Sequence, residues 1–225
     1  RGDVFEGALG NFNFSGRSAE ERMVVTTYGE EIARPVFNCG GNTAIHKFRG
    51  DPLNYIAFLG IHYKTDLPGG ENPSGVRILT ESHDVLIEDN VFEGFHVGLI
   101  LQDYVGAQVD LQLRRNIVID SKSTPSTGHS QGIYTSGTVN LLVEENLFDR
   151  NGWIEGSETS TATIFNHNIY IQHNSVDPVV RGNIISQGSS HGIQLRSGGI
   201  MNDNFFYRNA INVLLGYSDS SGKSY

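Results

Sequence analysis

Five short segments of this chain repeat one pattern, and the repeat leaves few folds open. VLIEDNVF (85–92), LQLRRNIVI (111–119), LLVEENLF (141–148), PVVRGNIIS (178–186) and IMNDNFFY (200–207) each carry alternating apolar residues, an Asn, and two or three further apolar residues. A polar stretch follows each of them. Then comes a second short apolar strand: GLILQ (98–102), GIYTS (132–136), NIYIQ (168–172), GIQLR (192–196) and NVLLG (212–216). The anchors Asn90, Asn116, Asn146, Asn183 and Asn204 recur at intervals of 26, 30, 37 and 21 residues. Self-similarity on this scale is the mark of a solenoid. Its unit is made of strands, and the excess in the two longest intervals must leave the coils as loops. An Asn at one corner of every coil tolerates left-handed backbone, and its amide can bond the Asn above and below it, building a ladder. An ordinary β-sandwich alternates hairpins without such a fixed column.

The predicted architecture is therefore all-β: a single-stranded parallel β-helix with an Asn ladder. A chain of 225 residues reads as one domain of about eight coils. Residues 54–215 form the regular coils, 1–53 irregular N-terminal coils with strands near 4–9, 23–28, 35–39 and 44–48, and 216–225 a polar tail. Within 15–22, SGRSAEER predicts one helical turn with Ser18 as its cap. The chain opens on Arg1, which suggests a mature form or an excised fragment. No run approaches the eighteen apolar residues of a membrane span. The net charge of −9 argues against sequence-independent nucleic-acid binding, which needs a clustered basic surface. Cys39 is the single cysteine and rules out an internal disulfide. The sequence leaves the oligomeric state open.

The anchor Asn with flanking Ile, Leu and Phe, variable loops and short strands such as HGIQL (191–195) resembles the right-handed parallel β-helix superfamily, pectate-lyase-like enzymes and uronate epimerases among them. The resemblance is firm over 54–215 and looser over 1–53. It implies a substrate lying along one parallel sheet beside the interrupting loops, and a secreted, periplasmic or cell-surface protein. Many chemistries share the scaffold, so the resemblance says more about fold than about activity.

Two long loops, 120–131 and 149–167, both precede a second strand and so leave the solenoid at one edge. Together they would wall a groove. Aligning Gly132, Asn168 and Gly192 places Gln131, His167 and His191 in one column and Tyr134, Tyr170 and Gln194 in a second. Ser136, Gln172 and Arg196 make a third. Alternation sends the last two columns to the outer face. Strict alternation would turn His167 inward with Ile169. Stacked at strand spacing, His167 and His191 would sit about 5 Å apart and depress each other's protonation.

The candidate catalytic residues are His167, His191, Tyr134 and Tyr170. Arg196, Gln194, Gln172, His129, Lys122 and Arg150 are candidate substrate contacts. The aligned second strands carry no Asp or Glu, whereas glycoside hydrolysis needs a pair of carboxyls. Proton abstraction from a uronic acid needs a cation, a base and an acid instead, which Arg, His and Tyr supply. The expected function is thus a polysaccharide lyase or C5-epimerase acting on a uronic-acid polymer. The alternatives are a non-catalytic carbohydrate-binding, adhesin-like or tail-spike module and, third, a glycoside hydrolase. No metal or other cofactor is expected. Asp103, Asp149, Glu155 and Glu158 offer oxygens for calcium, yet no loop alternates acidic ligands as calcium loops do.

Overall fold

The computed structural model describes residues 1–66, 72–123 and 128–216. Its strands visit three sheets in strict rotation, and every pairing between strands is parallel. The first sheet has eight strands, from Val4–Glu6 to Phe205–Tyr207, and the second has eight, from Gly10–Asn11 to Ile211–Leu215. The third has nine, because two of its coils break into a pair of short segments, such as Gln108–Val109 and Gln112–Arg114. The result is a three-sided parallel β-helix. Strands of residues 1–53 take their places in the same sheets: Val36–Asn38 pairs with His62–Lys64, and Ile45–Lys47 with Ser74–Ile78. The helical turn expected at 15–22 is absent. Ser18 Oγ does accept the Glu20 and Glu21 amides, each at 3.2 Å, but the chain only bends there.

The interior is a stack of like residues about 4.8 Å apart, the distance between neighbouring parallel strands. Ile133, Ile169 and Ile193 lie in register and are fully buried, as are Val118, Phe148 and Ile185. Toward the N-terminus the same column becomes aromatic, with Phe5, Phe37, Tyr63 and Phe92 in successive ring contacts of 4.9, 5.6 and 5.4 Å.

The Asn ladder forms at the corner between the third sheet and the first. Nδ2 of Asn116 donates to Oδ1 of Asn146 at 3.0 Å, Asn146 to Asn183 at 2.9 Å, and Asn183 to Asn204 at 2.9 Å. Each Oδ1 also accepts a backbone N–H of the preceding coil, as Asn146 does from Asn116 at 2.9 Å. The left-handed residue is not the Asn but the one before it: Asp89, Arg115, Glu145, Gly182 and Asp203 have φ between 52° and 65°. That turn points the Asn amide inward, where four of the five are at most 2 % exposed.

A second ladder, invisible in the five-fold repeat, holds the corner between the first sheet and the second. Asn151 donates to Asn168 at 2.8 Å and Asn168 to Asn209 at 3.2 Å. Asn168 belongs to a strand of the second sheet, whereas Asn151 and Asn209 follow strands of the first. The crossover works because large and small residues trade places. Gly132 lies against Asn151, Gly188 against Asn168 and Gly192 against Asn209, and a Cβ added at any of them would meet the amide within 3.1 Å.

Asn146→Ala should cost on the order of 1–3 kcal/mol in denaturant unfolding, because it orphans buried donors of Asn116; an unchanged midpoint would show the ladder to be dispensable. Gly188→Ala should destabilise by driving a methyl into Asn168, and Asn168→Gly should cost its hydrogen bonds. The double variant should lose less than the sum, a coupling read by a double-mutant cycle.

Candidate functional site

Three connections between the first sheet and the second are long. They are 65–73, 120–130 and 150–166, bounded by the strands on either side. Described residues of these connections, Asn72, His129, Ile164 and Phe165, border the outer face of the second sheet, where register aligns one residue per strand: Arg77, Ile100, Tyr134, Tyr170, Gln194 and Leu214. Arg77 and Gln194 stand four strand steps apart, about 19 Å. Two clefts of about 500 Å³ each occupy this face and share His129 and Tyr170, so they form one continuous groove.

The first cleft is polar. Arg77, His96, His129, Gln131, Tyr134 and Gln172 are among its lining residues. Gln172 Nε2 donates to the Tyr134 hydroxyl at 3.4 Å, and the Tyr134 and Tyr170 rings meet edge to face at 5.3 Å. Three buried polar atoms at its border, Ser74 Oγ, Arg77 Nε and Gln172 Oε1, have no hydrogen-bond partner among the described residues. Such atoms are costly in a folded chain and call for an explanation. His96 is 8 % exposed. Burial is the main cause that lowers its pKa, His129 adds to it, and the Lys122 and His129 carbonyls oppose it. The Lys122 carbonyl accepts from His96 Nδ1 at 3.3 Å, which fixes the neutral tautomer with the lone pair on Nε2. Arg77 and His96 were not singled out in the sequence. The signal for Arg77 was there, since it fills the Tyr134 column two strands earlier; His96 lies outside the aligned second strands.

The second cleft is walled by apolar side chains, Ile164, Phe165, Ile211 and Leu214, over His167, His191, Gln194 and Arg196. His167 does not turn inward. Alternation breaks at Asn168 and Ile169, which are consecutive and both fully buried, as it does at Gly132–Ile133 and Gly192–Ile193 in the neighbouring strands. His167 is thereby returned to the outer side, its ring 5.1 Å from that of Tyr170. The His167 and His191 rings are 4.8 Å apart and their Nδ1 atoms 3.0 Å. Burial first, then His191, Arg196 and His129, push the His167 pKa down to about 3. His191 is lowered by burial and by Arg196.

A chain of donors fixes both tautomers. The Arg196 guanidinium can only donate, and the Gln194 oxygen accepts from its Nε and an Nη at 2.9 and 3.0 Å. The Gln194 nitrogen then faces His167 Nε2 at 3.0 Å, so that nitrogen carries the lone pair. His167 holds its proton on Nδ1 and donates to His191 Nδ1. His191 carries its own proton on Nε2.

The remaining sequence candidates divide. His129 lies at the join of the two clefts, its ring tilted against that of Phe165 at 5.3 Å. Lys122 and Arg150 line neither cleft, which corrects the expectation that they add positive charge to the groove. Arg150 is held by Asp120 at 2.7 and 3.0 Å and by Asp149, and Lys122 contributes a carbonyl to His96. Arg196 lines the second cleft, but two of its nitrogens serve Gln194 and its guanidinium lies 5.2 Å over Tyr170. Asp149 is taken by Ser186, Gln187 and Arg150, and Asp103 by Ser136 and Asn174. Among the described residues, neither cleft is lined by Asp or Glu.

The right-handed β-helix region family model matches residues 72–224. The chain belongs to that family. Comparison with curated proteins and with solved structures returned no match. Family membership establishes the handedness of the solenoid and leaves its chemistry to the groove.

The histidine pair predicts a pH dependence of stability. His167 has its pKa lowered from 6.5 to about 3 on folding, so below pH 6.5 the unfolded chain takes up a proton that the folded chain refuses. Stability should be full above pH 6.5, fall as pH drops toward about 3, and level off below that. His167→Gln should flatten this slope in thermal unfolding across that range; an unchanged slope would mean that other groups cause it.

Proposed function

We propose that this β-helix binds a uronic-acid-containing polysaccharide along the outer face of its second sheet, outside the cytoplasm, and removes the C5 proton of one sugar. The observation that carries this reading is the first cleft: a cation, a neutral imidazole and a phenol line it together, with no carboxylate in the lining among the described residues. In this reading Arg77 pairs with the substrate carboxylate, which makes the C5 proton more acidic. His96 Nε2 takes that proton. For elimination, the C4–O4 bond breaks as the C4–C5 double bond forms, and the Tyr134 hydroxyl protonates the departing oxygen. For epimerisation, the carbanion is instead reprotonated at C5 from the opposite face. Both uses need the same base and the same neutralising cation.

Two features favour this assignment over one centred on His167 and His191. Those two imidazoles direct Nδ1 at each other, and Gln194 occupies the outer nitrogen of His167. Paired-carboxyl hydrolysis finds no pair in the described lining.

The test is to incubate the protein with polygalacturonate, alginate and glucuronan in deuterated water. Deuterium gain at C5 and ultraviolet absorbance of unsaturated ends would be followed together. His96→Ala should lower either signal by about 10²-fold or more. Arg77→Ala should lower turnover in proportion to lost carboxylate binding, and Tyr134→Phe should suppress release of unsaturated ends. Tight binding of a polymer with neither signal would replace this reading with that of a carbohydrate-binding module.

A further inference from the structure

The groove changes character along its length. Its first half presents Arg77, His96, Gln131 and Gln172. Its second half raises Ile164, Phe165, Ile211 and Leu214 around an imidazole floor. These four apolar side chains are 64, 60, 42 and 37 % exposed, a concentration of apolar surface that single scattered residues do not produce. The shared His129 and Tyr170 make the two halves neighbouring stations for one chain-like ligand.

A uronate carboxylate suits the second half poorly. Apolar walls would strip its hydration, and Arg196 already directs Nε and an Nη at Gln194. What the floor does offer is one neutral donor. His191 turns Nδ1 toward His167 and Ser190, at 3.0 Å from each. Among the described residues its Nε2 has no hydrogen-bond partner and is not one of the buried orphan atoms, and His191 lines the cleft. The relay from Arg196 through Gln194 and His167 keeps the proton on that nitrogen. An acceptor oxygen on the floor and a small apolar group against the walls together describe a carboxylic ester.

We propose that the cleft of Ile164, Phe165, Ile211 and Leu214 over His191 is a subsite for a small ester carried by the polysaccharide, either an acetyl on a sugar hydroxyl or a methyl on a uronate carboxyl. The ester carbonyl accepts from His191 Nε2–H and the methyl packs on the apolar walls. This rests on the polysaccharide reading above and adds the substituent that the groove selects.

The experiment uses polygalacturonate in three forms: unsubstituted, chemically O-acetylated, and methyl-esterified, with alginate and acetylated alginate as a second pair. Affinity is measured by calorimetry on the intact protein. One buried methyl and one hydrogen bond predict on the order of tenfold tighter binding of an ester form, and the comparison of acetyl with methyl identifies the source. Phe165→Ser and Leu214→Ser, at exposed positions, should bring the ratio of ester to plain polymer toward one. His191→Phe, which keeps the ring and removes the donor, should do the same. Equal binding of all forms by the parent overturns the ester subsite and leaves the uronate reading standing. Failure of every polymer to bind overturns both.

Discussion

A primary amide can donate along one direction and accept along the opposite one, and the whole molecule is built on that property. In a parallel coil every turn must find partners for backbone groups at three corners, far from water. An amide inserted at the corner passes one hydrogen bond up and one down while satisfying the adjacent backbone N–H and C=O. Because each coil bonds its neighbours in the same way, apolar residues behind the corner are forced into register. The isoleucine and aromatic columns share that register, and burying them reinforces it.

The second ladder ties this scaffold to the groove. Asn168 turns inward to bridge Asn151 and Asn209, and the strand must therefore place two consecutive residues inside. The same break recurs at Gly132–Ile133 and Gly192–Ile193, so Gln131, His167 and His191 share one column at the groove, with His167 within reach of His191, Tyr170 and Gln194. Glycines opposite each amide provide the room, so the identities of residues 132, 188 and 192 are fixed by what stands across from them.

The sequence disclosed the architecture because the Asn column repeats at one place in each coil, and repetition survives unequal loops. It disclosed the outer strip of Tyr134, Tyr170, Gln194 and Arg196 because these follow from aligned strands and simple alternation. Strict alternation alone would have put His167 inside; it fails at the corner, where Asn168 and Ile169 both turn inward, and the partners of the Asn168 amide lie 17 and 41 residues away. Lys122 and Arg150 looked like groove cations by position in a loop. Only the fold shows that Arg150 is neutralised by Asp120 and Asp149. His96 was hidden for the opposite reason: a short connection gave no hint that its ring faces the cleft beside Arg77.

The groove runs across coils rather than along any one of them. In a solenoid each coil leans only on its neighbours, so the weakest junction sets where the stack begins to fray. A polymer seated from Arg77 to Leu214 touches coils that have no direct contact with each other. It would act as a splint, coupling distant junctions and making them open together rather than one by one. Ligand length, and not affinity alone, would then govern how far the bound molecule resists unzipping from its ends.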